Sequence, residues 1–288
     1  MQIPNKKLKN GFEMPVFGLG TWQMGGRFEH NLSNDDDKDV ADIQNAIESG
    51  ITHIDTAESY ADGHTETLVN GGIKGFDRSK LFLVSKVRSR NLGYGDIIKS
   101  CKASMERLGT NYLDLYLVHM YSPNTPLEES MRALDYLKEQ GFIKNIGVCN
   151  FTLEHLAEAQ SYTKNKIVCN QVHYNLIFRE PERKGLLEYC QQNDVFLIAW
   201  RPVQKGELSE NILPIMAEMC EKYQKTSAQI AINWLISQPN VITISKMSDV
   251  HLEENLGAIG WEMESVDIER LRKEYPHQKD VSDAVPLG

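Results

Sequence analysis

Cysteine is sparse and badly placed for cross-linking. The five thiols, Cys101, Cys149, Cys169, Cys190 and Cys220, are odd in number, widely spaced and include no C-x-x-C pair. That excludes a disulfide framework and a cysteine-built zinc site, and the expectation is reduced thiols in a cytosolic setting. Long apolar runs are missing too: none approaches the ~20 residues needed to span a bilayer. Met1 to Asn10 is polar and basic, with no apolar stretch of signal-peptide type. There is no long Lys/Arg run, and the formal net charge is −9, which argues against an extended nucleic-acid footprint. A cytoplasmic protein with neither membrane nor nucleic acid among its partners is expected, as a monomer or weak oligomer. Two nucleotide signatures are lacking as well. Gly18-Leu19-Gly20 continues as Thr-Trp-Gln-Met-Gly and misses the G-x-G-x-x-G spacing, and no G-x-x-x-x-G-K-[ST] occurs. Any dinucleotide must be held by something other than a Rossmann turn.

What is present is a repeated alternation. With 41% hydrophobic and 25% charged residues the chain can bury a sizeable core. Eight short apolar or β-branched runs recur: Val16–Thr21, Thr52–Thr56, Leu81–Ser85, Leu113–Val118, Ile143–Val148, Ile167–Gln171, Val195–Ala199 and Val241–Ile244. Helical spacing fills the intervals: Asp36–Ser49, Thr65–Ile73, Gly95–Leu108, Leu127–Gln140, Leu153–Tyr162, Pro181–Gln192, Thr226–Ser237 and Asp249–Leu256, with an extra helix over Ser209–Tyr223. Thr152 and Ser248 stand as caps before their helices. Asp35-Asp36-Asp37 reads as a helix first turn, where carboxylates complement the dipole, rather than as a metal site; no metal is expected. Strands alternating with helices imply parallel strands joined by right-handed crossovers. Eight such units predict a (β/α)8 TIM barrel, with an open doubly wound sheet as the alternative. Lys7–Met14 carries an Asn10-Gly11 pair between short alternating runs, the signal of a tight hairpin, expected to cap the barrel bottom. No linker or composition break divides the chain, so one domain over 1–288 is expected.

In barrel enzymes the reacting groups sit at the carboxyl ends of strands. There this sequence places Asp55 and Tyr60 after strand two, Lys86 after strand three and His119 after strand four. Each is weak evidence alone: an Asp can cap a helix, a His can be a satisfied core residue, a Tyr can pack. Buried lysines are rare, so Lys86 leans functional. Together they make chemical sense if the phenol is an acid. A free tyrosine has a pKa of about 10; the Lys86 cation is expected to lower it, Asp55 to hold the lysine charged, and His119 to orient a carbonyl. An aldolase using Lys86 as a Schiff base, and a non-catalytic nucleotide-binding barrel, are the alternatives.

At these residues the chain resembles an aldo-keto reductase. The match runs through Phe17-Gly18-Leu19-Gly20-Thr21, His53-Ile54-Asp55-Thr56-Ala57, Ser59-Tyr60, Ser85-Lys86-Val87, Asp114 to His119, Gly141 to Phe151, Asn170-Gln171-Val172 and Glu254-Asn255-Leu256-Gly257-Ala258. The resemblance implies reduction of an aldehyde or ketone by a nicotinamide hydride, with a catalytic tetrad of Asp55, Tyr60, Lys86 and His119. It also implies a cofactor set. Thr21 and Trp22 follow the first strand; Asn150 and Gln171 match contacts to the nicotinamide carboxamide; Trp200 stands where a stacking Tyr is usual. The loops after strands seven and eight, which barrels favour for phosphate, carry Arg201, Lys205 and Lys246; by the resemblance Lys246 meets a 2′-phosphate, and Glu254 and Asn255 lie near the adenine. NADPH is therefore expected over NADH. Three departures bear on this: Cys149 replaces the usual Ser, Arg201 and Val203 replace Ser and Leu, and His251 replaces an Arg that grips the 2′-phosphate, so NADH remains open. Trp22 and Tyr121, with Met24 and Phe28 nearby, are the substrate-pocket candidates. The uncharged loop Met120–Pro126 fits a polyol-like or small aldehyde substrate.

Overall fold

The computed structural model describes residues 2–210 and 212–287. Ten strands form: β1 Asn5–Lys7, β2 Glu13–Pro15, β3 Phe17–Gly20, β4 His53–Asp55, β5 Phe82–Val87, β6 Leu115–Val118, β7 Ile146–Cys149, β8 Ile167–His173, β9 Phe196–Trp200 and β10 Val241–Ser245. All eight runs read as barrel strands are strands. They close in the order β10-β3-β4-β5-β6-β7-β8-β9, the (β/α)8 barrel expected, and the open sheet falls away. By packing, the chain has two compact units, one built from Gly18–Asn170 and the other from Ile3–Phe17 with Gln171 onwards.

In the first unit the strand register is what positions chemistry. Asp55 of β4 lies opposite Val84 of β5, and Lys86 is two residues further on. Lys86 lies opposite Leu117 of β6, and His119 is again two residues further. An even step keeps a side chain on the same face of the sheet. Asp55, Lys86 and His119 therefore climb the same face as the staggered strands of a barrel rise. His53, Phe82, Val84, Leu115 and Leu117 share that face below them. Ser85, with the opposite parity, bonds Glu66 at 2.6 Å.

The helices are α1 Asp36–Glu48, α2 His64–Ile73, α3 Tyr94–Arg107, α4 Leu127–Glu139, α5 Leu153–Ser161, α6 Glu180–Arg183, α7 Leu186–Gln192, α8 Glu207–Glu210, α9 Pro214–Tyr223, α10 Ser227–Ile236, α11 Asp249–Leu256 and α12 Ser265–Glu274. α4 is typical: Leu127, Met131, Leu134 and Leu137 are buried at helical spacing. Asp35 caps α1 by accepting from Lys38 N, and Asp36, Asp37 and Asp39 fill its first turn, as the acidic run implied. Thr152 caps α5 through His155 N, whereas Ser248 occupies the cap of α11 without a side-chain bond.

Three expectations are corrected. Pro181–Gln192 is not one helix: Gly185 adopts φ 70°, a left-handed turn that separates α6 from α7. Ser209–Tyr223 is also broken. α8 ends at Glu210, Asn211 lies outside the described residues, and α9 begins at Pro214, whose ring favours a helix start and forbids continuation. The hairpin is looser than a two-residue turn, since residues 8–12 separate the paired Lys7 and Glu13. In the second unit this hairpin lies against the amino-terminal ends of β9 and β10. Lys6 Nζ donates to the carbonyls of Ile236, Gln238 and Val241 at 2.6, 2.6 and 2.7 Å, and Lys9 N donates to Asp194 at 2.8 Å.

Packing inside the barrel leaves no room at Gly147 of β7. A Cβ there would lie 2.4 Å from Leu117 Cδ2 and 2.5 Å from Cys169 Sγ, both buried. Gly147→Ala is expected to cost ~1–3 kcal/mol through overpacking, read as a lower denaturant midpoint; an unchanged midpoint would contradict the packing described.

Candidate active site

Lys86 is 0% exposed, and a buried ammonium survives only if its charge and three protons are satisfied. All three are. Nζ donates to Asp55 Oδ1 at 2.5 Å, to the Thr56 carbonyl at 2.9 Å and to the Tyr60 hydroxyl at 3.2 Å. Asp55, at the end of β4, is itself anchored through its backbone, whose carbonyl accepts from Thr21 N at 3.0 Å and Thr21 Oγ1 at 2.9 Å. Carboxylate, ammonium and phenol thus form one line from adjacent strand ends.

Burial works against the Lys86 charge, but the Asp55 carboxylate together with the neighbouring Tyr60 and Cys149 outweighs it and holds the ammonium above its ordinary pKa. Tyr60 departs from the expectation. Burial pushes its phenol up to about 12, and Lys86 pulls the other way without prevailing. The lysine does favour the phenolate, as expected, but desolvation is the larger effect. His119 lies with its ring centroid 5.7 Å from that of Tyr60. Burial, then the charges of Lys86 and Arg88, depress its pKa to about 3, so the imidazole is neutral. Ser59 Oγ is 3.2 Å from its Nδ1; with the hydroxyl donating, the ring proton sits on Nε2 and that nitrogen is a donor.

Sequence reasoning missed the residues that fix the phenol's own loop. After Tyr60 the backbone takes left-handed φ at Ala61 (47°), Asp62 (52°) and Gly63 (91°), a conformation costly for residues with a Cβ. Arg88 holds it. Its guanidinium donates to the Glu58 carbonyl and, at 3.0 Å, to Asp62 Oδ1. Glu58 Oε1 accepts from Arg88 N at 2.7 Å and Asn91 Nδ2 at 3.1 Å. The signal was available: Glu58 and Arg88 are opposite charges just past the ends of neighbouring strands.

Of the cofactor candidates, Asn150 has left-handed φ 58°, which Asn tolerates well. Its Nδ2 donates to the His119 carbonyl at 3.2 Å and Cys149 Sγ at 3.1 Å. Its Oδ1 is buried with no hydrogen-bond partner among the described residues. An orphan buried acceptor is costly unless a donor reaches it, and an amide N–H of a nicotinamide is a donor of that kind. The residues thus fit the group. Gln171 is buried on β8. In the second unit Trp200, at the end of β9, stacks on His173 at 4.3 Å between centroids and 6° between planes. Arg201 bonds Asp283 Oδ1 at 3.2 Å, and Gln204, against His173, reaches Asp283 at 3.3 Å. Lys205 and Lys246 are exposed and make no ion pair among the described residues. His251 lies 4.0 Å from Glu254, and Asn255 is buried. The C-terminal tail, whose Ser282 N and Leu287 N donate to the Glu180 carboxylate at 2.9 and 3.0 Å, folds back onto its own unit.

On the substrate side, Trp22 meets Tyr60 edge-on at 4.9 Å and Phe28 at 5.1 Å, while Phe28 is 71% exposed. Tyr121 stacks on His155 at 3.7 Å. Met24 is fully buried and belongs to packing, not to a pocket.

The sequence model of the Aldo/keto reductase family matches residues 16–275. A methylglyoxal reductase, YeaE, of Escherichia coli (strain K12) is 36% identical over 97% of both chains. A glyoxal reductase of Bacillus subtilis (strain 168) is 34% identical over 92% of this chain and 90% of that one. Among solved structures, a thermostable aldo-keto reductase in complex with the inhibitor epalrestat superposes with TM-score 0.90 at 42% identity, covering 94% of this chain and 99% of that one. An aldo-keto reductase from Klebsiella pneumoniae in complex with NADPH superposes with TM-score 0.84 at 33% identity over 98% of each chain. The chain belongs to the aldo/keto reductase family.

Proposed function

We propose that this chain, acting as one catalytic domain, reduces an aldehyde or ketone to an alcohol with NADPH, Tyr60 giving the proton. The observation that carries the reading is the fully buried Lys86 ammonium, bonded to both Asp55 and the Tyr60 hydroxyl. The bound nicotinamide supplies the hydride. Tyr60 is protonated at neutral pH and so enters the reaction as an acid. As its proton passes to the carbonyl oxygen, the charge left on the phenol oxygen develops 3.2 Å from Lys86 Nζ, where a fixed cation stabilises it more than it stabilises the neutral phenol. Asp55 keeps that cation in place. His119, neutral and with Nε2 as donor, orients the carbonyl. Thr21 holds the end of β3 to that of β4.

For the cofactor, Asn150 and Gln171 would bind the carboxamide and Trp200 would stack on the ring, with Thr21 and Trp22 as further contacts. Arg201 and Lys205 serve the phosphates, and a phosphate would compete with Asp283 for Arg201. Lys246 and His251 face the 2′-phosphate, with Glu254 and Asn255 at the adenine. NADH, lacking the 2′-phosphate, would bind less tightly but remains a usable donor in this scheme. Trp22 and Tyr121 wall the substrate, and the names of the two bacterial relatives favour small dicarbonyls such as glyoxal and methylglyoxal. A cytoplasmic setting and a monomer or weak oligomer, with neither nucleic acid nor membrane as partner, accompany the reading. No helix among the described residues is long and apolar enough to cross a membrane, and all five cysteines are unbridged. A Schiff-base role for Lys86 is disfavoured, because its three protons are committed and its charge is reinforced.

Tyr60→Phe is expected to lower turnover of a small aldehyde by ~10²–10⁴-fold, the usual worth of a positioned acid, with NADPH binding intact by fluorescence titration. Near wild-type turnover would remove Tyr60 from its role. Lys246→Ala is expected to raise the Kd for NADPH far more than that for NADH; equal effects would remove the 2′-phosphate contact.

A further inference from the structure

Outside the tetrad, the first unit brings together two imidazoles and a carboxylate that the reaction does not use. His30 comes from the loop after β3, Asp36 from the first turn of α1 and His64 from the first residue of α2. Their ligand atoms all lie within 4.8 Å of one another. The two rings stack at 3.6 Å between centroids and 21° between planes, and His64 Nε2 is 2.7 Å from Asp36 Oδ2. We propose that His30, Asp36 and His64 form a divalent transition-metal site that clamps the loop carrying Trp22 and Phe28 onto the turn that follows Tyr60.

The donor set is what a borderline cation such as Zn2+ takes: two neutral nitrogens and one oxygen, with a further position left to water. Ligand atoms around such an ion stand about 3.4 Å apart when tetrahedral, from bond lengths near 2.1 Å. The exposed His30 ring must turn out of its stack on His64 for both nitrogens to address one ion. The carboxylate is already oriented, because Asn34 Nδ2 donates to Asp36 Oδ1 at 2.8 Å and leaves Oδ2 toward His64; outer hydrogen bonds of this kind fix metal ligands. The backbone is built for the meeting. Gly25 has φ 76°, and a Cβ there would lie 2.8 Å from His64 Cδ2. Bridges Gln23↔Gly26 and Gly26↔His30 fold the loop back on itself. Two helix amino ends oppose a cation here, but Asp35, Asp36, Asp37 and Asp39 outnumber them in charge.

The loop is already tied to this region by Ala61 N donating to the Arg27 carbonyl at 2.7 Å and Thr65 Oγ1 donating to the Met24 carbonyl at 2.6 Å. A metal would add three bonds to those ties, beside the Trp22–Tyr60 contact. Metal binding does not rest on the proposed reductase reading. The sequence expectation gave the acidic run no metal; His30 stands six residues before Asp36, but His64 is distant from it in the chain.

The test titrates the full-length protein with Co2+ and then displaces it with Zn2+, following the visible absorption of nitrogen-bound cobalt and amide hydrogen exchange in residues 22–34. Wild type is expected to bind one ion with slowed exchange in that loop. His30→Ala and Asp36→Asn, each checked for unchanged thermal unfolding without metal, are expected to lose the spectrum. Asn34→Ala is expected to weaken binding by ~10–100-fold. No saturable binding, or equal binding by wild type, His30→Ala and Asp36→Asn, overturns the site. Binding without slowed exchange overturns the clamp, and neither result depends on turnover.

Discussion

A single buried cation organises this molecule. The Lys86 ammonium has no access to water, so the fold must supply every partner it needs: a carboxylate from β4, a carbonyl one residue later and a phenol from the following turn. Removing one partner of a buried ion pair typically costs ~3–5 kcal/mol, because the other charge is left uncompensated. That penalty fixes the relative height of β4 and β5. Register, strand stagger and the position of the phenol are therefore one constraint seen from three sides.

The electrostatics of the site follow from the same exclusion of water. Burial raises Tyr60, lowers His119 and works against Lys86, and only at Lys86 do the neighbours, Asp55 foremost, together reverse the effect. The outcome is a neutral imidazole, a protonated phenol and a retained cation at neutral pH. A raised phenol pKa does not conflict with acid catalysis. The acid must hold its proton at rest, and the lysine matters most at the moment the proton leaves. The strained backbone after Tyr60, tied by Arg88 and Glu58, keeps the hydroxyl in line with the ammonium while this happens.

Much of this was legible in the sequence. Strands buried on both faces read as short continuous apolar runs, so all eight barrel strands stood out, and residues just past their ends could be singled out as chemistry. What failed to show was local. Gly185 and Pro214 broke apparently continuous helices, because periodicity is blind to a single left-handed residue or a missing N–H. The helix Ser265–Glu274 went unread beyond the last repeat. The loosened hairpin, the sign of the Tyr60 shift and the Arg88–Glu58 brace depend on distances and on burial, which no spacing rule encodes. Met24 looked like a pocket residue because its neighbours Trp22 and Phe28 flank it, yet its side chain turns inward.

The most direct test is the titration of Tyr60 by ultraviolet difference absorbance against Tyr60→Phe, in wild type and in the charge-neutral double variant Asp55→Asn/Lys86→Met. Here the lysine's pull on the phenol outweighs the aspartate's opposing push, so the double variant should ionise Tyr60 at a higher pH than wild type. A value equal to or below that of wild type would mean that the buried cation does not govern the phenol, and the account built on it would fail.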